Sequence, residues 1–163
     1  MADIDADRLL FIVTGVTLTA EAGDRPLAYT IERAAREHLA ELIPQTPGEP
    51  AALTPVVISD VYYLNNEDIQ SRPTICVGGP GVNMLAGTLV ENVPMAVAVE
   101  NVLVIQMDVE FNDTRVAVWG MTHVDTVRAV DLFISRYLRA YLEAVVQQSD
   151  EEDEQDFDAP HSP

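Results

Sequence analysis

Lysine does not occur in this sequence of 163 residues, and all nine basic residues are arginine. This excludes a Walker A lysine, a Schiff-base lysine and a lysine general base. Two explanations fit the bias equally well. A genome rich in G and C replaces lysine codons by arginine codons, and an acidic surface without lysine suits high salt. We favour the genomic explanation.

Positive charge as a whole is scarce. The chain carries 27 acidic residues against nine basic ones, which gives a formal net charge of -18. A surface of this sign repels the phosphate backbone of nucleic acids. We therefore expect no nucleic-acid partner.

Cysteine, histidine and long apolar runs are also rare. The single cysteine, Cys76, stands in the apolar stretch TICVGG, where a lone thiol usually serves as a small buried side chain. Cys76 and three scattered histidines form no pattern of metal ligands, so we expect neither a metal nor a cofactor. No apolar run approaches the roughly 18 residues of a membrane span, and MADIDADRLL is acidic where a secretory signal is basic. We expect a cytoplasmic protein with no membrane partner.

The length of the chain fits one domain with a substantial core. We predict a flexible N-terminus over residues 1–8, a single α/β domain over residues 9–148 and a disordered acidic tail over residues 149–163. The tail, SDEEDEQDFDAPHSP, has too few apolar residues to offset the entropy cost of ordering.

The first half of the domain is predicted to alternate strands with helices. The continuous apolar run LLFIVTGV, Leu9–Val16, indicates a central strand covered on both faces. The polar loop TLTAEAGDRP follows, and Pro26 marks the first turn of an amphipathic helix over Leu27–Leu42. Two further strands are predicted over Val56–Leu64 and Thr74–Val77.

An antiparallel hairpin is expected in the second half. Val97–Phe111 is strand-like but exceeds the usual length of a strand, so we expect Asn101 to interrupt it. Asn112 and Asp113 then stand between VLVIQMDVEF and TRVAVWGM, which is a hairpin signal.

The last helix is the best-defined element. One apolar stripe extends from Val127 to Val145, with charged residues opposite. Thr122 and Asp125 have the spacing of a capping box, with Asp in place of Glu. Together these elements predict a three-layer α/β sandwich with a mostly parallel sheet, one antiparallel hairpin and a long C-terminal helix.

In such a fold, ligands bind at the carboxyl ends of the parallel strands. The loops that follow Val16, Val77 and Trp119 are predicted to converge at this edge. Any functional site is therefore expected there.

The most suggestive of these loops lies in TICVGGPGVNMLAG, between a strand and a helix start. Backbone N–H groups around Gly78, Gly79 and Gly81 could surround an anion, because residues without a β-carbon allow close approach. Asn83 would be a polar ligand contact, or would cap the helix instead. The alternative is a purely structural turn, since the loop fits neither GxGxxG nor the GK[ST] of a phosphate loop.

Side chains that follow the first strand are a second group of candidates. Arg25 could hold a phosphate or a carboxylate in bidentate geometry, with Glu21 or Asp24 as a base or metal ligand and Thr14 close by. The alternative is a solvated surface loop. Its mostly negative charge disfavours phosphate.

His123 and Asp60 are the remaining candidates. A helix N-terminus disfavours the charged form of histidine, so His123 could act as a neutral base, or it is an exposed residue without a task. Asp60, within VVISDVYYL, is either a catalytic acid or an ordinary residue at a strand end. The sequence has no GxSxG elbow and no complete catalytic constellation, so we lean towards a protein without enzymatic activity.

Two segments resemble a known kind of module. GGPGVNMLAG and FNDTRVAVWGMTHVDTVRAVDLFISRYL are similar to the GGP-x-(V/A)-N loop and the closing strand, Gly and (D/E)-T-x-x-A helix of archaeal S-layer-type α/β domains. The resemblance covers residues 74–138. The matching positions are Gly78, Gly79, Pro80, Val82, Asn83, Gly120, Asp125, Thr126 and Ala129. It implies a module for assembly or surface interaction, without catalysis.

Two functional hypotheses follow. The favoured one is a non-enzymatic α/β module that acts through a protein partner or through self-assembly as a homo-oligomer. The alternative is a sensor or enzyme for a small ligand of the nucleotide or sugar-phosphate type. In that case the glycine loop 78–81 holds an anion, Arg25 neutralises it, and His123 or Glu21 transfers a proton.

Overall fold

The computed structural model describes residues 6–44, 53–93, 95–99 and 102–157 of the chain. The described strands are β1 (Leu9–Thr14), β2 (Thr54–Ser59), β3 (Thr74–Val77), β4 (Met95–Val99), β5 (Leu103–Gln106) and β6 (Arg115–Gly120). The described helices are α1 (Leu18–Leu42), α2 (Asp60–Leu64), α3 (Met84–Asn92), α4 (His123–Arg136) and α5 (Leu138–Phe157). Short 3₁₀ turns lie at Ala6–Arg8 and Glu67–Ile69.

The strands form one sheet in the order β2-β1-β3-β6-β5-β4. β1 is parallel to both β2 and β3, and β3 is parallel to β6. β5 runs antiparallel to β6 and to β4. The predicted mostly parallel sheet, with β1 as an inner strand, is therefore confirmed.

Alternate residues of β1 face opposite layers of helices. Leu10 and Ile12 belong to the larger core cluster, together with residues of α1, α4 and α5. Phe11 and Val13 belong to a smaller cluster, together with residues of α2 and α3. Because both faces are covered, the strand sequence is apolar throughout instead of alternating. The predicted three-layer sandwich is confirmed.

The predicted polar loop TLTAEAGDRP is wrong, since α1 begins at Leu18, ahead of Pro26. Thr17 caps the helix, and its hydroxyl accepts the N–H of Ala20 at 3.2 Å. Buried residues recur at helical spacing from Ala20 through Asp24. Proline lacks the N–H for one helical bond, but the buried face on both sides of Pro26 keeps the helix continuous.

The predicted strand over Val56–Leu64 is wrong in its second part. β2 ends at Ser59, whose hydroxyl accepts the N–H of Tyr62 at 3.2 Å and so caps α2. Asp60 is therefore the first residue of a short helix. The apolar pattern could not separate the two elements because both are short and both bury side chains.

The antiparallel pairing of β5 with β6 is confirmed, but the connection is longer than a tight turn at Asn112 and Asp113. The carboxylate of Asp108 accepts the backbone N–H groups of Glu110, Asn112 and Asp113 at 3.0 to 3.3 Å. These hydrogen bonds lower the pKa of Asp108, and the bond from Glu110 has the largest effect. The carboxylate of Asp108 therefore organises this loop, with no contribution from a glycine.

The predicted interruption within Val97–Phe111 is confirmed, since β4 ends at Val99 and β5 begins at Leu103. Asn101 itself lies outside the described residues. The pairing of β4 with β5 is a second antiparallel contact that the sequence did not predict.

The predicted cap of α4 is confirmed. The hydroxyl of Thr122 accepts the N–H of Asp125 at 3.2 Å and donates to its carboxylate at 2.7 Å. The apolar stripe predicted one helix from Val127 to Val145. In the structure this segment is divided at Tyr137, because α4 ends at Arg136 and α5 begins at Leu138. The single helix is thus wrong, although α5 is a long C-terminal helix as predicted.

The two predicted flexible ends are only partly described. Ala6–Arg8 forms a 3₁₀ turn, and residues 1–5 lie outside the described part. α5 continues to Phe157 and so includes residues 149–157 of the acidic tail, while residues 158–163 lie outside. Within the described residues, no helix has both the length and the apolar composition to cross a membrane.

Candidate functional site at the carboxyl edge of the sheet

Four neighbouring parallel strands end at the same edge of the sheet. β2, β1, β3 and β6 are adjacent in this order, and each leads directly into a helix or a short connection on its carboxyl side. The connections that follow β1, β3 and β6 therefore lie side by side, as predicted, although Thr17 alone separates Val16 from α1. We call this region the carboxyl edge.

The glycine loop is closed by its own backbone. Gly78 has a positive φ of 98°, and its N–H donates to the carbonyl of Val118 in β6 at 3.1 Å. The N–H groups of Val82 and Asn83 both donate to the carbonyl of Gly79 at 3.0 Å. These N–H groups already have acceptors, so they are not available to a ligand in this conformation.

Asn83 joins three elements at the carboxyl edge. Its amide group donates to the carbonyls of Val13 at 3.1 Å and Val77 at 2.9 Å, which are the ends of β1 and β3. Its oxygen accepts the N–H of Leu85 at 3.1 Å and caps α3. Asn83 was predicted as either a ligand contact or a cap, and its side chain is fully used as a cap and as a link between strands.

Asp60 occupies a further donor at the start of α3. Its buried carboxylate accepts the N–H of Met84 at 2.9 Å and the N–H of Val61 at 2.8 Å. A carboxylate is also the charge that a helix N-terminus favours. An external anion at the start of α3 would have to displace Asp60.

Close packing explains two glycines of this edge. A β-carbon on Gly15 would lie 1.8 Å from the carbonyl oxygen of Val82, and one on Gly78 would lie 2.5 Å from a carboxylate oxygen of Asp24. A β-carbon on Gly81 would meet nothing within 4 Å. Packing and backbone conformation thus explain the glycine at position 78. Neither constraint applies to Gly81.

Arg25 and Glu21 lie on α1 and bind each other. Two hydrogen bonds of 2.7 Å join the guanidinium and the carboxylate. The pair raises the pKa of Arg25 and lowers that of Glu21. Among the described residues, neither side chain forms a hydrogen bond or an ion pair with the glycine loop. The structure therefore does not bring these two candidates to the loop.

Asp24 and His123 are brought together instead. Asp24 is only 7% exposed, and its carboxylate lies against Gly78. Burial raises the pKa of Asp24, and the nearby His123 lowers it in part. The ring of His123 covers Gly23, since a β-carbon there would lie 3.1 Å from its Nδ1. Helical spacing from Ala20 would have placed Asp24 on the buried face had the segment been recognised as a helix.

Two buried polar atoms without a partner in the described structure, Thr14 Oγ1 and Trp119 Nε1, lie at the carboxyl edge, whereas those of His38, Arg72 and Gln106 lie elsewhere. Thr14, at the end of β1, is fully buried, and its Oγ1 has no hydrogen-bond partner within the described structure. It follows Leu10 and Ile12 in the alternation of β1 and so faces the layer of α1, as Asp24 does. A fully buried hydroxyl of this kind is uncommon in folded proteins. The carboxylate of Asp24 also forms no hydrogen bond among the described residues, but its oxygens are not fully buried and stay in contact with solvent.

Exposed apolar side chains surround the carboxyl edge. Leu18 is 89% exposed and Met121 is 70% exposed, and neither was singled out in the sequence. We call the full group the apolar rim. Its members are Val16, Leu18, Val61, Tyr62, Met84, Val102, Met121 and Val124. They come from the connections after β1, β2, β3 and β6 and from the start of β5, so periodicity along one element could not reveal them.

The chemistry of the edge is limited. The thiol of Cys76 is buried within β3, and burial raises its pKa, so it is held as a thiol. Within the part of the chain that the structure describes, no three His, Cys, Asp or Glu side chains are grouped as ligands for a metal.

A comparison of the chain with models of known protein families and with curated protein sequences found no match.

Proposed function

We propose that this protein is a non-enzymatic α/β module that binds a partner protein through the apolar rim. The observation that carries the proposal is the position of the rim. Most of the large apolar side chains that the fold leaves exposed lie at one edge of the sheet. Concentrated apolar exposure marks interaction surfaces, because monomeric proteins rarely leave large apolar patches in water.

The backbone beneath the rim is well suited to binding. Asn83 links the ends of β1 and β3 to α3, and Asp60 links the start of α2 to that of α3. A surface fixed in this way loses little conformational entropy when a partner binds. This favours binding by a preformed surface over folding of a loop around a ligand.

The net charge of -18 favours a different protein over a second copy. Two copies repel each other at low salt, whereas a basic partner is attracted. Self-assembly, which the resemblance to S-layer-type domains also implies, is the competing outcome. It would become stronger at high salt, where the repulsion is screened.

The alternative function, a small-ligand sensor or enzyme, has less support. The start of α3 is capped by Asp60 and Asn83, and Arg25 is paired with Glu21 on its own helix. A phosphate at Gly78–Gly81 would meet a helix start that already holds the side chains of Asp60 and Asn83, and an Arg25 that is already paired.

A pair of variants tests the proposal. Met121→Ser and Val109→Ser change side chains that are both 70% exposed, but Val109 lies in the loop between β5 and β6, at the opposite edge of the sheet. Quantitative cross-linking in cells should show a partner whose cross-links to the carboxyl edge are lost in Met121→Ser and kept in Val109→Ser. Equal cross-linking of both variants and the parent would refute the proposal.

Sedimentation velocity of the purified protein at low and high salt separates the two kinds of partner. A monomer at both salt concentrations supports a heterologous partner. A dimer that dissociates in Met121→Ser and not in Val109→Ser would assign the rim to self-assembly instead.

A further inference from the structure

We infer that two copies of this chain pair through β4 in antiparallel orientation, so that their two sheets become one continuous sheet. This contact goes beyond the proposed function, because the apolar rim binds a different protein at another surface. The observation that carries the inference is an open sheet edge in a part of the chain that has almost no charge.

β4 is the outermost strand on one side of the sheet. Among the described elements, β4 has extensive contacts only with β5, and no described strand pairs with its outer edge. Its sequence, MAVAV over Met95–Val99, contains neither proline nor a charged residue, which are common means of protecting an exposed edge. The edge is therefore open to a further strand.

The backbone of Ala98 points away from β5. The N–H of Met121 donates to the carbonyl of Val102 at 2.9 Å, so the backbone of Val102 faces β6. The direction of the hydrogen bonds alternates along a strand, and Leu103 therefore faces β4. Its partner Val99 bonds to β5, and the preceding residue, Ala98, presents its N–H and its carbonyl outwards. These are the groups that a second strand would bind.

The opposite edge of the sheet, formed by β2, is protected. Pro55 has no N–H to donate, and its carbonyl already accepts the guanidinium of Arg36 at 2.9 Å. One open edge and one protected edge let two chains pair and prevent the addition of a third. The expected assembly is a closed dimer with two-fold symmetry.

Charge is nearly absent from the part of the chain that contains β4. Glu91 and Glu100 are the only charged residues between Pro73 and Met107, a segment that includes α3, β4 and β5. β4 and β5 themselves have none, so antiparallel pairing of β4 places no like charges directly opposite each other.

This neutrality favours a second copy over a basic protein at this edge. A strand without charge gives a basic partner no electrostatic advantage, whereas every copy of the chain offers the same matching edge. The net charge of -18 opposes the dimer only over longer distances, where salt screens the repulsion. The dimer should therefore become tighter as the salt concentration rises.

Sedimentation velocity of the full chain at low and high salt measures the association. We expect a reversible dimer that is tighter at high salt. Ala98→Pro removes the outward N–H and no hydrogen bond to β5. It should weaken the dimer by about tenfold or more, because two-fold symmetry repeats the loss. Ala98→Gly keeps the N–H and is the matched control, whose dimer should persist.

Amide hydrogen exchange of the unmodified chain examines the same contact without a substitution, and so decides the matter if Ala98→Pro does not fold. The N–H of Ala98 should exchange at least about tenfold more slowly in concentrated protein, where the dimer is formed, than in dilute protein.

The inference is overturned by a monomer at both salt concentrations, by equal dimer affinities of Ala98→Pro and Ala98→Gly, or by an exchange rate of Ala98 that does not depend on concentration. Met121→Ser should leave this dimer intact, and its dissociation in that variant would also overturn the inference. Loss of the rim cross-links in Met121→Ser concerns the proposed function alone, so the two failures are distinguishable.

Discussion

Gly78 and Asp24 are packed so closely that a β-carbon on Gly78 would lie 2.5 Å from a carboxylate oxygen of Asp24. The contact joins the loop after β3 to the buried face of α1. It also limits what each position tolerates, because Gly78 has a positive φ and the carboxylate of Asp24 accepts no hydrogen bond within the described part of the fold. Substitutions at the two positions separate these two roles.

Gly78→Ala should destabilise the protein by about 2 kcal/mol, because the new β-carbon adds a clash to an unfavourable backbone conformation. Gly81→Ala is the control, since the same carbon would meet nothing within 4 Å there. Urea unfolding of both variants gives the comparison. Equal midpoints would contradict the assignment of Gly78 to packing.

Asp24→Asn should stabilise the protein slightly at pH 7, by less than about 1 kcal/mol, because burial disfavours the charged form of Asp24 while His123 and contact with solvent offset part of that cost. The effect should depend on pH. Burial raises the native pKa of Asp24 above its ordinary value of 3.8, so the folded state binds the proton more tightly than the unfolded state does. As the pH rises from 3.8 through the native pKa, the parent loses stability and the asparagine variant does not.

The measurement is the difference in free energy of unfolding between Asp24→Asn and the parent, taken at several pH values. It should shrink as the pH falls towards 3.8. A variant less stable than the parent at pH 7 would mean that Asp24 already has a partner in the fold.

Asn83→Asp should cost about 3 kcal/mol, because the carboxylate keeps the cap of α3 but cannot donate to the carbonyls of Val13 and Val77. Asn92→Asp is the matched control on the same helix. Asn92 is exposed, and its side chain donates to the carbonyl of Thr88. Loss of this exposed hydrogen bond should cost less than about 0.5 kcal/mol. Thermal and urea unfolding provide both values, and similar costs would show that the link between the strands contributes little.

Asp60→Ala tests whether the start of α3 is able to hold an anion. Removal of the carboxylate frees the N–H of Met84, so sulfate should stabilise the variant more than sodium chloride of equal ionic strength does. The parent should show no such difference. Specific stabilisation of the parent by sulfate would instead favour the small-ligand alternative.

Part of the fold follows directly from local sequence patterns. The unbroken apolar run of β1 indicated a strand covered on both faces, and Thr122 and Asp125 indicated the start of α4. Pro26 led to a wrong prediction of the residue at which α1 begins. Proline is common in the first turn, but it is also tolerated further inside when flanking residues are buried.

The site was harder to predict because it depends on contacts between distant segments. Sequence analysis found Asp24 and His123 separately, but only the parallel order of β1, β3 and β6 brings α1 and α4 together beside the glycine loop. Exposed Leu18 and Met121 carried no signal, because a single apolar residue at a helix start or in a short connection cannot be told from a core residue by its type.

The hydrogen bond from Asn83 to Val13 spans 70 residues of sequence. β1 and β3 must therefore both be in place before this hydrogen bond can form. Closing so long a loop is slow compared with forming a single helix. Partially folded chains would present the same apolar residues without the geometry that orders them. A partner that bound this edge, as proposed above, would therefore recognise the folded chain and not its separate segments.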